Sequence, residues 1–392
     1  MSSTNSLDLI ARLESLKPGL KSGDEDAQKE ALMLSRMLGV SLNPPANTAV
    51  ELAFGPFIAM GAKIAVDLHL FEYITAQETP ISASELATLS GAEELLIIRV
   101  LRPLAATGFV TEVDSKSWIA SPVSFAMASN EIASGHRMIW NLIVQAASKT
   151  PKYLKESGYK CPTEPHDGLV QYAFQTKLQC FDFISADPEL LKDFTTFMGN
   201  TMGARNYWVD WYPVQKQILD GAESDGTLLV DVGGGKGHDL IQFHEKFPGN
   251  KLVLEEIPQV VENLRDSEQV FESVVYDFFT EQPLKNARVY FYHHILHDWA
   301  DTKCLEILAG LKPAMKPGYS KLLLHEMIIP ETKASGFHSM LDLTMMVFNA
   351  GMERTASQFT TLLEKAGFEV VKIWTPEGDH DADGIVEAMV RA

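Results

Sequence analysis

Apolar residues in the second half of the chain fall in short runs separated by amphipathic stretches. From residue 228 onward seven segments read as buried strands: LLVDV (228–232), KLVLEE (251–256), SVVYDF (273–278), RVYFYHH (288–294), KLLLHEM (321–327), FEVVKIW (368–374) and GIVEAMV (384–390). Helical periodicity lies between them, at 238–247, 301–311 and 357–366. Strands alternating with helices predict an α/β fold, a Rossmann-like, doubly wound parallel sheet.

The first half reads differently. Residues 1–45 look like amphipathic helices ending at Asn43-Pro44-Pro45. So short a segment buries its own apolar face poorly, which predicts packing against a second subunit. Residues 50–125 read as three helices and a hairpin. Ser82 and Glu85 form a capping box at a helix start, and 93–107 continues as a helix stopped at Gly108. The hairpin, 109–119, turns at Asp114-Ser115-Lys116. Three helices and a wing make a mainly α winged-helix domain. Residues 135–220 are helical, aromatic-rich and punctuated by prolines. The expected organisation is a helical dimerisation segment (1–45), a winged-helix dimerisation domain (46–134) and a catalytic domain (135–392), with 135–220 forming its acceptor-pocket region.

A winged helix invites a DNA-binding reading, and charge opposes it. Between Met60 and Phe125 there are four basic residues against eight acidic ones, and the third helix is largely apolar. The whole chain carries a formal charge of −19, which disfavours nucleic acid or an anionic membrane as partner. No apolar run approaches the roughly 20 residues needed to span a bilayer, and the N-terminus lacks a signal-peptide core. The three cysteines are widely separated, giving no disulfide framework and no paired metal spacing. A cytoplasmic protein is expected.

The densest chemistry begins at the strand 228–232. It runs into Gly233, Gly235 and Gly237, and then into a helix start. Glycines in such a turn let backbone N–H groups and a helix N-terminus approach a ligand. The spacing differs from the dinucleotide fingerprint, because His238 stands where its third glycine is expected. Asp231 ends this strand, Glu255-Glu256 end the next, and Asp277-Phe278 follow the third. A carboxylate at the second position suits a ribose diol. Aspartate with an aromatic at the third suits an adenine amino group and ring face.

The segment YFYHHILHDWAD (290–301) carries a second set of groups. A phenol, with a pKa of about 10, is a poor nucleophile at neutral pH, and a histidine base relieves this by taking its proton. His297 is the candidate base, and Glu326 and Glu353 are carboxylates placed to hold its ring.

Taken together, these motifs resemble the plant- and fungal-type class I O-methyltransferases that use S-adenosyl-L-methionine (SAM) on small molecules, of the caffeate and flavonoid kind. The resemblance rests on DVGGGKG, ILHDWAD, the Lys316-Pro317-Gly318 turn, HEMIIP and MERTASQF, and it extends over nearly the whole chain. It implies SAM as cofactor, no metal, a homodimer, and a small aromatic or polyketide-type secondary metabolite as substrate. His297 then matches the general base, with Glu326 and Glu353 holding it. Asp231, Gly233, Gly235, Glu256, Asp277 and Phe278 match cofactor contacts. Met198, Met202, Met345 and Asn349 match the acceptor pocket, to which Asp298 and His136 are added. Two departures stand out. Glu256 replaces the usual aspartate. His293 stands where the family generally has Lys or Arg facing the methionine carboxylate, and a neutral imidazole there would hold that group less firmly. The alternatives are a SAM-binding pericyclase or dehydratase on the same scaffold and, more remotely, an NAD-dependent oxidoreductase or a DNA-binding regulator.

Overall fold

A computed structural model describes residues 5–201, 207–264, 270–377 and 382–391, the side chains at 199–201 excepted. The chain divides into two compact units, Met1–Arg137 and Met138–Ala392.

The first unit opens with helices Ser6–Ser15, Lys17–Ser22 and Glu25–Leu42. Asn5 and Asp24 cap the first and third through their side chains. The buried cluster is small, Leu9, Leu16, Ala27 and Leu34, while Leu7, Leu32, Val40 and Leu42 stay exposed. Helix Pro45–Asp67 follows, and it corrects one expectation. Its 23 residues are long and apolar enough, by length and composition, to cross a membrane. Glu51, Lys63 and Asp67 interrupt the apolar run without offsetting it. Its C-terminal turns are instead core elements: Ala62, Ala65 and Val66 are buried with Leu70, Phe71, Leu101 and Trp118. Val50, Leu52, Phe54 and Phe57, toward its start, are exposed.

The wing forms as the pattern predicts. Ser82 caps helix Ala83–Ser90 in a full capping box with Glu85. Helix Glu94–Ala106 ends before Gly108, whose φ of 84° a Cβ would resist. Strands β2 (Val110–Asp114) and β3 (Ser117–Ala120) make the hairpin, and a short β1 (Ile81–Ser82) pairs with β3. That third strand is too brief to leave a period-2 signal.

The second unit is built on a seven-stranded sheet. Its strands are β4 (Leu229–Val232), β5 (Leu252–Glu256), β6 (Glu272–Val275), β7 (Val289–His293), β8 (Lys321–Glu326), β11 (Phe368–Trp374) and β12 (Gly384–Val390), in the order β11-β12-β8-β7-β4-β5-β6. A two-stranded parallel ladder, β9 (Ile328–Ile329) with β10 (Arg354–Thr355), stands apart. The sheet is parallel except for β12, which runs antiparallel to both β8 and β11. This corrects the wholly parallel expectation: the short link 375–383 lets β12 return beside β11 as a hairpin, whereas a parallel return needs a longer crossover.

The chain leaves β4 toward β5 on one side and enters β7 on the other. The crevice at the carboxyl ends of β4 and β7 is therefore the topological switch point, where open α/β sheets bind ligands. Trp208, fully buried, stacks on Phe291 of β7 at 4.8 Å and on Phe243 of helix His238–Lys246 at 5.9 Å, tying the helical region before the sheet to its core.

Candidate active site

After β4 the backbone turns through Gly233, Gly235 and Gly237, all with φ between 61° and 76°. Gly237 caps helix His238–Lys246. A Cβ on Gly233 or Gly237 would strike Ile295 or Phe271, so those two serve internal packing. A Cβ on Gly235 would meet no protein atom within 4 Å. That position borders open space.

Around this turn the carboxylates fall into two kinds. Glu256 is held: Oε1 accepts from the N–H of Gly235 at 3.0 Å and Oε2 from that of Ile257 at 2.7 Å. Burial raises its pKa, and those two bonds oppose the rise. Asp231 is fully buried with neither oxygen partnered. Burial and repulsion from Asp239 push its pKa well up. A carboxylate stripped of donors calls for a ligand bearing N–H groups and positive charge. The ammonium of an amino acid fits that demand. Asp277 is exposed and caps its own turn, accepting from the N–H of Phe279 at 2.9 Å, and the half-buried Phe278 packs against Trp299.

The expected neutrality of His293 needs correction. Nδ1 lies 2.7 Å from Oδ2 of Asp239, in the first turn of the helix after the glycine loop. Burial alone would lower the imidazole pKa, but Asp239 overrides it and lifts the pKa to about 9. His293 is then a cation at neutral pH. Sequence reasoning alone does not reveal Asp239. Its only signal is its place one residue into a helix facing β7.

His297 lies in a short 3₁₀ turn, Leu296–Asp298, just past β7. It is buried, and Nδ1 is 2.8 Å from Oε1 of Glu353. A carboxylate can only accept, so Nδ1 carries the hydrogen and Nε2 is left for proton transfer. Oδ1 of Asp298 is 3.6 Å from Nε2. Burial opposes the charged ring, yet Asp298, Glu353 and Glu326 together raise its pKa to about 10. Burial likewise lifts Asp298 to about 6, against the pull of His297.

Glu326 acts differently from the expected ring holder. Its Oε1 accepts from the N–H groups of Ile295 and Leu296, at 3.2 and 2.8 Å, so it fixes the turn that carries His297. Arg354 grips the same turn from below. Fully buried, it donates to the carbonyls of Leu296 and Trp299, at 2.8 Å each, and to Asp301. The β9–β10 ladder pairs Arg354 with Ile328, two residues beyond Glu326, which brings both glutamates to one turn. Gly351 closes it: a Cβ there would run into the backbone of His297 and Asp298. Asp342 accepts from the N–H of Glu353 at 3.0 Å. The supporting roles of Arg354, Gly351 and Asp342 have no sequence periodicity to reveal them.

Beside the turn, Nδ2 of Asn349 donates to the carbonyl of Asp298 at 3.2 Å, while its buried Oδ1 has no partner. Met345 is buried one turn earlier on helix Gly336–Asn349. Met198 is exposed on helix Pro188–Thr201. Met202 lies outside the described residues. His136 belongs to the first unit, on helix Asn130–Met138, where burial lowers its pKa. Asp231, Gly235, Glu256, His293 and His297 thus converge on the carboxyl ends of β4, β5 and β7.

Comparison with known proteins agrees with this geometry. Residues 173–369 match the family described as O-methyltransferase domain, and residues 50–130 match the O-methyltransferase dimerisation domain. The chain is 51% identical over 384 residues to O-methyltransferase penC of Penicillium thymicola, covering 97% of this chain and 96% of that protein. The structure of LepI in complex with SAM superposes with a TM-score of 0.86 at 26% identity, over 99% of this chain and 100% of that one. A structure described as a pericyclic reaction enzyme gives the same TM-score and identity, over 98% and 100%. With a cofactor crevice at the switch point and a carboxylate-held histidine beside it, the chain belongs to the class I plant- and fungal-type O-methyltransferases, enzymes that take their methyl group from SAM.

Proposed function

We propose that this enzyme methylates a hydroxyl of a small aromatic or phenolic secondary metabolite, with His297 as general base. One observation carries the reading: a buried imidazole whose Nδ1 is committed to Glu353, leaving Nε2 to face an acceptor. Bound SAM supplies an electrophilic methyl group on a sulfonium. The residues suited to hold it are Asp231 for the ammonium, His293 for the carboxylate, Glu256 for the ribose and Asp277 with Phe278 for adenine. Met198, Met345, Asn349 and Asp298 line the acceptor side. The unpartnered Oδ1 of Asn349 can orient a donor on the acceptor. His297 removes the hydroxyl proton through Nε2, Glu353 stabilises the imidazolium that forms, and Glu326 with Arg354 keeps the ring in line. Incubating the protein with SAM and a panel of phenols, and following S-adenosylhomocysteine by mass spectrometry, tests this reading. No turnover with any phenol would count against it.

The carboxylate cage has a consequence for pH. A base works only when unprotonated, and this imidazole is raised from its ordinary 6.5 to about 10. Methyl transfer at saturating SAM is therefore expected to rise with pH, on a limb lying above the ordinary imidazole value. Glu353→Gln removes one negative charge and should move the limb to lower pH, lowering kcat by less than loss of the base itself. A limb unmoved in Glu353→Gln would argue that another group titrates.

A second reading, ring-forming or dehydration chemistry in the same crevice, draws on the likeness to the pericyclic reaction enzyme. Its signature is a product with an unchanged methyl count and a new ring.

The dimerisation domain and the exposed Val50, Leu52, Phe54 and Phe57 support a homodimer. Light scattering should give a mass near twice 43.4 kDa. Removing residues 1–45 should weaken association, because it strips away helices whose apolar residues are left exposed. A full-length, active monomer would refute the homodimer.

A further inference from the structure

Proton removal from one acceptor uses one histidine, yet the carboxyl ends of β7 and β8 hold four. His297 and His293 have roles as base and as partner of the cofactor carboxylate, and His325 is buried at the end of β8. His294 has none. It follows β7 with a left-handed backbone, φ 52°, and its N–H donates to the carbonyl of His325 at 3.0 Å. A side chain kept in that sparsely populated region by its surroundings is a candidate for function.

The His294 ring lies nearly parallel to that of His297, at 25°, with centroids 4.9 Å apart. Its Nε2 is 3.2 Å from Oδ2 of Asp383, which is itself buried. A carboxylate can only accept, so the hydrogen sits on Nε2 and Nδ1 keeps a lone pair. Among the described residues Nδ1 has no hydrogen-bond partner. The arrangement repeats that of His297: one ring nitrogen is committed to a buried carboxylate and the other is unengaged. The His294 side chain is also the more open of the two, 18% exposed against 8%.

We propose that His294 is an acceptor-binding residue whose Nδ1 accepts a hydrogen bond from a second hydroxyl on the ring that carries the methylated one, so that dihydroxylated aromatics are the preferred substrate class. The proposal rests on the methyl-transfer reading, because His297 defines the acceptor side. A ring lying along the stacked imidazoles presents one hydroxyl to each. His297 takes the proton of the reacting hydroxyl, and His294 holds its neighbour without taking its proton. Asp383 is a positioning residue that fixes the tautomer and the plane of His294. An acceptor lacking the second hydroxyl leaves Nδ1 without a donor, and a site built for a hydroxyl discriminates on that ground.

Phenol, catechol and resorcinol differ only in the presence and place of a second hydroxyl. Their affinities for the full-length protein saturated with S-adenosylhomocysteine are compared by ligand-observed NMR titration. Catechol or resorcinol is expected to bind about 3–10-fold more tightly than phenol, the worth of one hydrogen bond. In His294→Phe, which keeps a flat ring and loses Nδ1, that ratio should fall to about one. Asp383→Asn, similar in size, should lower it in the same direction, which a merely structural role would not do. Circular dichroism checks folding, and His294→Ala decides the matter if the phenylalanine variant misfolds. No preference in the unaltered protein, or a preference undiminished without the imidazole, overturns the proposal. The binding ratio needs no turnover, so a His294-dependent ratio without methyl transfer from SAM would fault the methyl-transfer reading alone. Turnover of phenols with a ratio indifferent to His294 would fault this proposal alone.

Discussion

His297→Ala is expected to lower methyl transfer by about 10²–10⁴-fold while leaving SAM affinity near that of the unaltered enzyme. The two effects separate because the groups do. The proposed cofactor contacts lie on the loop after β4, the end of β5 and His293, whereas the proposed base, His297, sits in the turn beyond β7. Removing the ring also leaves Oε1 of Glu353 buried without its partner, so some stability is lost. His297→Gln, which can still donate to Glu353, controls for that loss. Calorimetry with SAM and single-turnover rates at fixed pH make the comparison. Undiminished transfer in both variants would exclude His297 as the base.

Gly235→Leu is expected to abolish SAM binding within the range of calorimetry. At this position an added Cβ would meet no protein atom within 4 Å, so a leucine fits without an internal clash and would crowd a ligand held against the glycine loop. The φ of 61° adds a backbone cost of about 1–2 kcal/mol for an L side chain. Gly235→Asn separates the two, because asparagine tolerates left-handed backbone better than leucine and is smaller. It should keep the fold and bind SAM more weakly than glycine and more tightly than leucine. Full SAM affinity in Gly235→Leu would move the cofactor elsewhere. A response to NAD with none to SAM would overturn the cofactor assignment altogether.

Much of the site was legible because its chemistry sits at strand ends, and strand ends can be read from short apolar runs. Asp231 and Glu256 lie at the ends of such runs and the resemblance picks out His293; all three fall at the carboxyl ends of β4, β5 and β7. Glu326 and Glu353 were recognised by type. Their division of labour was not, since nothing along the chain distinguishes a carboxylate that binds a ring from one that binds the turn beneath it. The β9–β10 pairing, each strand two residues long, makes that distinction across a gap of 26 positions.

What the sequence determined by itself is whatever local pattern encodes. That includes the seven strands, the three helices and hairpin of the winged-helix pattern, the capping box at Ser82, and the glycine turn whose backbone no other residue adopts as readily. The charge count over residues 60–125 argues against DNA for the same reason. What only the tertiary structure decided depends on distances between residues far apart in the chain. The antiparallel course of β12 is one case, and Arg354 gripping the turn before Asp301 from 53 positions away is another. The ionisation of His293 is the clearest. An imidazole alone titrates near 6.5, and burial would push it lower, so its residue type argued for a neutral ring. Asp239, 54 positions earlier, lies 2.7 Å from Nδ1. In a low-dielectric crevice a charge that close outweighs desolvation and turns His293 into a cation.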